Sequence, residues 1–160
     1  MSIEDYNKAV DLIQQNQELA DFVGNRPDNI VNKAEVKLNL VFPQSYRMFL
    51  KNFGAGNFGS EEIYGVIKED FENSGIPDAI WYTLKQRKEV NLPQNLLVIY
   101  HSGGEEMFCL DINKTGKDAE SMIVSYVTGI DSKYQTYEII AEDFGEFLLQ
   151  RVKFELGRKR

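Results

Sequence analysis

Residues 41–66 read VFPQSYRMFLKNFGAGNFGSEEIYGV, and this run decides the fold. Pro43 suits the first position of a helix, where its fixed φ and missing N–H cost nothing. Tyr46, Phe49, Leu50 and Phe53 then share one helical face. Gly54 ends the helix, because glycine takes positive φ without a steric penalty. The glycine-rich turn leads into Ile63-Tyr64-Gly65-Val66-Ile67, which reads as a strand. Within the run, Gly54-Ala55-Gly56-Asn57-Phe58-Gly59 fits G-x-G-x-x-G. A dinucleotide site needs a strand before those glycines and a helix after them, so that phosphate meets exposed helical N–H groups. Here the order is reversed and the helix dipole has the wrong sign. The glycines read as a helix-to-strand connector.

Working outward, Ser2 and Asp5 have capping-box spacing, and Ile3, Tyr6, Val10 and Ile13 carry the face of a first helix. Leu19, Phe22 and Val23 form an apolar cluster before Gly24, and Asp28 is placed to cap a second helix bearing Ile30, Ala34 and Leu38. Pro77 opens a helix with Ile80, Trp81, Leu84 and Arg87 on one side. Leu96 to Tyr100 is a continuous apolar run, the pattern of a strand covered on both faces or of a central strand. Met107–Leu110 and Met122–Val127 are further strands, with hairpin chemistry in Asn113-Lys114-Thr115-Gly116 between them. Phe144, Phe147, Leu148 and Val152 give a closing helix that ends near Gly157. The plan is α+β: N-terminal helices, a mainly antiparallel sheet flanked by helices, and a closing C-terminal helix.

A chain of 160 residues, 42% hydrophobic and 12% aromatic, is expected to form one domain over 1–160 with one core. No apolar run reaches membrane-span length, and the first residues lack the pattern of a signal peptide. The single Cys cannot form an internal disulfide. The expected compartment is the cytoplasm. Net charge is −7, which repels nucleic acid and favours a basic partner. Acid is concentrated in Glu61, Glu62, Glu69, Asp70 and Glu72, against Lys68 alone. Arg151, Lys153, Arg158, Lys159 and Arg160 reverse the sign and read as a solvated helix end.

Chemistry by a side-chain nucleophile needs a reactive group beside a proton acceptor. His101 and Cys109 fall on neighbouring predicted strands. With Gly103-Gly104 as a hairpin turn, His101 pairs near Met107 and Cys109 lies further along, as a small buried hydrophobe. Asp111 to Gly116 imitates the start of an EF-hand loop, but Met122 stands where the bidentate Glu is required, and no Cys or His cluster exists for zinc. No metal, cofactor or catalytic residue is therefore expected. Adjacent carboxylates at Glu61-Glu62 and Glu105-Glu106 point to opposite faces of a strand, so neither pair is a dyad. A couple between the two pairs stays open. An acidic recognition surface is the functional alternative, at strand ends where binding residues sit on a rigid scaffold. Trp81 reads as core, and Tyr82 as core or interface. An unpaired strand edge is one route to a homodimer or to a partner's strand.

Several motifs in fixed order resemble the SUKH superfamily, which includes fungal cell-wall-synthesis regulators and many bacterial immunity proteins. They are Phe42-Pro43-Gln44-Ser45-Tyr46, Phe49-Leu50, Gly54-Ala55-Gly56 and Glu62-Ile63-Tyr64-Gly65. Leu92-Pro93 with the apolar run after it, Phe108-Cys109-Leu110-Asp111 and Asp143 to Leu148 follow. The resemblance is strongest over 28–150. Phe42 stands where Leu is usual in the family, and Ala55 interrupts a common glycine pair. The resemblance implies the same α+β architecture and a non-enzymatic antitoxin that neutralises a polymorphic toxin, commonly a nuclease, by direct binding. Regulatory scaffolding of the fungal kind is the alternative, and an enzyme of unknown reaction is a third reading that the thin inventory of catalytic groups disfavours. The expected partner is a basic toxin, with no nucleic acid and no membrane. The partner-binding residues expected are Glu61, Glu62, Tyr64, Asp70, Tyr82, Glu105 and Glu106.

Overall fold

Pro43 sits one position outside the helix it starts. Its ψ is 158°, so it is the N-cap, and its carbonyl accepts the Arg47 N–H at 3.0 Å. Helix α3 then runs Gln44–Asn52, with Tyr46, Phe49 and Leu50 fully buried. The Tyr46 and Phe49 rings meet Phe144 with centroids 5.1 and 5.3 Å away. Gly54 follows at φ +74°, and its N–H bonds to the Phe49 carbonyl at 3.1 Å. The expected helix, face and stop are all present.

The computed structural model describes residues 2–158, the side chains of Ser2 and Lys117 excepted. Helix α1 is Ser2–Gln15, β1 Ala20–Phe22, α2 Asp28–Leu38, β2 Gly56–Phe58 and β3 Glu61–Ile63. They are followed by α4 Ala79–Val90, β4 Leu96–His101, β5 Glu106–Thr115, β6 Ser121–Val127, β7 Ile139–Ala141 and α5 Phe144–Leu156. Strands pair antiparallel in the orders β1-β2-β3 and β4-β5-β6-β7. The fold is α+β. One buried cluster runs from Tyr6 on α1 to Val152 on α5. No helix among the described residues is long and apolar enough to cross a membrane.

The strand expected at 63–67 is corrected: β3 stops at Ile63. The next three N–H groups diverge. Tyr64 donates to Ile99, Gly65 to Pro77 and Val66 to Gly54, at 2.9, 3.0 and 3.0 Å. A segment whose bonds go to three different elements is no ladder. It is a thread that joins the two sheets, α4 and the glycine turn. The Tyr46 hydroxyl fastens it by donating to the Tyr64 carbonyl at 2.9 Å.

Asp28 does not cap α2. Pro27 is its N-cap and accepts the Ile30 and Val31 N–H groups. Val31, Ala34 and Leu38 form the buried side of α2, with Ile30 only partly covered. The cap expected at Ser2 concerns a side chain outside the described residues. On α4 the cap is Asp78, which accepts the Ile80 and Trp81 N–H groups at 2.9 and 3.1 Å. The buried line is Ala79, Ile80, Thr83 and Gln86. Trp81 is therefore half-buried rather than core, with Lys85 Nζ 5.1 Å from its ring centroid.

Leu96 to Ile99 are fully buried although β4 ends its ladder. The Thr83 hydroxyl accepts the Val98 N–H at 3.0 Å, and Ile99 receives Tyr64, so other elements finish this edge. His101 pairs with Met107 across the β4–β5 turn, as the Gly103-Gly104 reading requires. The second hairpin differs from expectation. Asp111 accepts the Asn113 N–H at 3.1 Å, the register shifts, and β5 continues to Thr115. The turn lies at 116–120, closed by Gly116 N–H to the Glu120 carbonyl at 2.8 Å. Beyond β7, the Gln135 amide pairs with the Val127 N–H and C=O at 2.8 and 2.6 Å. A side chain thus occupies the β6 edge where the neighbouring strand has ended.

Candidate functional site

Glu61 does not face solvent. It is 3% exposed and accepts from Arg151 at 3.2 Å, Arg158 at 3.1 Å and the Tyr100 hydroxyl at 3.0 Å. A carboxylate is buried only with such partners. Beside it Glu155, also buried, accepts the Ser60 N–H at 2.7 Å and Arg158 Nε at 2.9 Å. The two guanidinium groups lie 5.3 and 4.7 Å from the Phe154 ring centroid. Arg151 is thus drawn inward and Arg158 turns to the same carboxylates, while Arg158 and Lys153 stay exposed as a solvated helix end. Lys159 and Arg160 lie outside the described residues.

The rest of the acidic run is dispersed. Glu69 is paired with Lys33, and Glu72 with Lys37 at 2.8 Å. Asp70 stays exposed, its carboxyl held below the usual range chiefly by the Asn73 side chain. Glu62, one residue along β3, points away from Glu61 and is half-buried, which raises its pKa. Tyr64 is buried rather than presented to a partner, and burial pushes its hydroxyl pKa up. Its ring meets half-buried Tyr82 edge-on at 5.5 Å, and Tyr82 in turn lies 6.4 Å from His101. A cleft of ≈ 550 Å³ opens here, lined by Glu62, Tyr100, His101, Phe108, Arg151 and Arg158 among others. Across the hairpin Glu105 is exposed, while Glu106 accepts the Ser125 hydroxyl at 2.5 Å. The fold gathers Glu62, Tyr64 and Tyr82 with His101 at the end of β4. Asp70 belongs to a different concavity, beside Lys33 on α2.

Sequence reading missed a second acidic group, where the start of α1 meets the start of α5. Burial, then Asp5 and Glu142, raise the Asp143 pKa, even though its side chain caps α5 by accepting the Glu146 N–H at 2.8 Å. Burial, then Asp143, Glu142 and Asp5, raise that of Glu146. Glu142-Asp143 and Glu146 are visible as local acid, but Asp5 is far away in sequence. A carboxyl whose folded pKa lies above its unfolded value binds protons more tightly when folded. It therefore opposes folding above that pKa and stops doing so as pH falls through it. Melting temperature is expected to rise as pH is lowered from neutrality and the raised Asp143 and Glu146 carboxyls take up their protons. Glu146→Gln should raise the pH 7 melting point by roughly 2 °C and flatten the trend. Parallel melting curves for the two proteins across that range would refute the coupling.

Cys109 is fully buried, opposite Val98 and Val124, and burial pushes its thiol pKa up. A thiol held in that form is a poor nucleophile. Among the described residues, no three or more His, Cys, Asp or Glu side chains are grouped to hold a metal ion. Asp111 is occupied by the Asn95 side chain at 2.8 Å and the Asn113 N–H.

Helix α3, the glycine turn, the β2–β3 hairpin, a four-stranded antiparallel sheet and α5 define one class of α+β domain, with its acidic groups placed at element ends. The family model SUKH_5, described as SMI1-KNR4 cell-wall, matches residues 2–153, and the chain belongs to this family. Membership supports, broadly, a role as an immunity protein or one of the SMI1/KNR4 kind.

Proposed function

We propose that this protein is a bacterial immunity protein that neutralises a cognate toxin by direct binding, making and breaking no covalent bond. The observation that carries the reading is the family match over residues 2–153. The charge of −7 supports it further. The partner is a basic, nuclease-type effector whose groove, built for a polyanion, accepts an acidic protein face. Opposite-sign potentials of this kind speed encounter and make it salt-sensitive. Glu62, on β3 beside the cleft that His101 lines, Glu105 in the β4–β5 turn, and the Asp5–Glu146 group are the carboxylates offered. A stable complex buries on the order of 800 Å² on each side. A second reading, a regulatory scaffold for cell-wall synthesis, draws on the family's own description.

The test is co-expression with the protein encoded beside its gene, scored by growth rescue and co-purification. Rescue with a tight complex supports immunity. A neighbour that is harmless alone, together with association to the cell-wall synthesis machinery, replaces it with the second reading. In the purified complex, reversing Glu62 and Glu105 to Lys should slow association about tenfold at low salt and little at high salt. Equal rates at low salt would remove both residues from the interface.

A further inference from the structure

The outer sides of α2 and α4, with residues 69–72 between them, form a face that carries both protrusions and sockets. Val36 is 81% exposed and Val41 76%, the highest values among the large apolar side chains described. A β-branched residue gains nothing locally from an exposed helical position. The inward side of α2 already belongs to Val31, Ala34 and Leu38. Around the two valines lie three concavities of ≈ 490, ≈ 270 and ≈ 560 Å³. Val36 lines the first two, while Lys37, Phe71 and Glu72 line the first and the last. Shared lining residues place them side by side along a face from Val41 to Trp81 and Leu84.

Its charge sets this face apart. Four lysines, Lys33, Lys37, Lys85 and Lys88, stand against five acids, Glu69, Glu72 and Glu89 among them, for a net of −1. The chain as a whole carries −7. We propose that this face pairs with the same face of a second copy of the chain, forming a two-fold dimer. Two molecules of charge −7 repel and approach most cheaply through a face that is itself near neutral. A strongly basic or strongly acidic partner gains nothing from such a face, whereas a two-fold contact needs both signs on one patch. Lys33–Glu69 and Lys37–Glu72 are paired within each copy, and Lys85, Lys88, Asp70 and Glu89 supply the counter-charges between copies. A two-fold contact also needs knob and socket together. Val36 and Val41 are the knobs, and the concavities lined by Phe71, Trp81 and Leu84 are the sockets. None of the residues lining this face belongs to the β4–β5 hairpin or to the Asp5–Glu146 group.

Sedimentation equilibrium of the full chain, up to about 100 μM in moderate salt, tests it. A concentration-dependent dimer is expected. Val36→Asp, at a position too exposed to disturb the fold, should weaken it about tenfold or more. Lys85→Glu/Lys88→Glu and Asp70→Lys/Glu89→Lys should each dimerise poorly alone, and mixing them should restore pairing, as complementary contact between copies requires. A wild-type monomer throughout would overturn the proposal. So would a dimer indifferent to Val36→Asp, or a Val36→Asp chain that stays monomeric like the wild type yet loses capture of the co-expressed toxin. Growth rescue is read separately, so loss of the dimer with rescue intact leaves the proposed function standing.

Discussion

Glu61→Ala is expected to destabilise the protein by about 3 kcal/mol, the lower end of what removing one partner of a buried ion pair costs. The side chain of Glu61 is 4% exposed, those of Arg151 and Arg158 22% and 37%. The arginines' partial access to water is why the lower end applies. The substitution also deprives the Tyr100 hydroxyl of its acceptor. Arg151 suffers most, because its Nε is already buried without a hydrogen-bond partner. Urea unfolding of Glu61→Ala, Arg151→Ala and the double variant measures the effect. The double variant should lose less than the sum of the singles, since Glu61→Ala strands Arg151 and the double does not, while Arg158 still holds Glu61 in Arg151→Ala. A Glu61→Ala cost under about 1 kcal/mol would mean that solvent screens the cluster like an ordinary surface pair.

Gly65→Ala is expected to cost about 3 kcal/mol or more and could prevent folding. An added Cβ would land on the carbonyl oxygen of Gly54, with the Leu50 side chain next. That oxygen already accepts the Val66 N–H at 3.0 Å, so it cannot retreat without giving up a bond. The two nearest atoms are both Gly54 backbone, so a shift of the Leu50 side chain would not relieve the clash. Gly75→Ala is the control, since nothing lies within 4 Å of its added Cβ. Restricting the unfolded chain makes Gly75→Ala neutral or slightly stabilising, so comparable losses for both variants would show that the Gly54–Gly65 contact does not set the cost. Loss confined to Gly65→Ala supports the thread as the joint between sheets.

Both predictions concern features only half legible in the sequence. Helix α3 could be read because a 3.6-residue period, a proline and a glycine agree with one another. Helix α5 and the His101–Met107 pairing were legible for similar local reasons. β1 and β7 were not, because three residues are too few to show alternation. The strand read at 63–67 had the right composition for a strand. Its bonding is decided by Ile99, Pro77 and Gly54, none of which composition can see. The candidate surface follows the same logic. Glu61 and Glu62 were correctly assigned to opposite faces, but which face was buried depended on arginines 90 and 97 residues away. The acid run from Glu61 to Glu72 likewise looked like one patch. Lys33 and Lys37, arriving from α2, split it. Conversely, Asp5 joins Glu142, Asp143 and Glu146 only because α1 lies along α5.

The arginine clasp on Glu61 also bears on the order of events at the ribosome. The β2–β3 hairpin leaves the exit tunnel long before Arg151 and Arg158 are synthesised. Until they arrive, Glu61 has no cation to enter the interior with, and the hairpin must keep that carboxylate in water. Translation therefore delivers the two halves of the clasp at opposite ends of a delay, and the tertiary structure closes only when the final helix has been made.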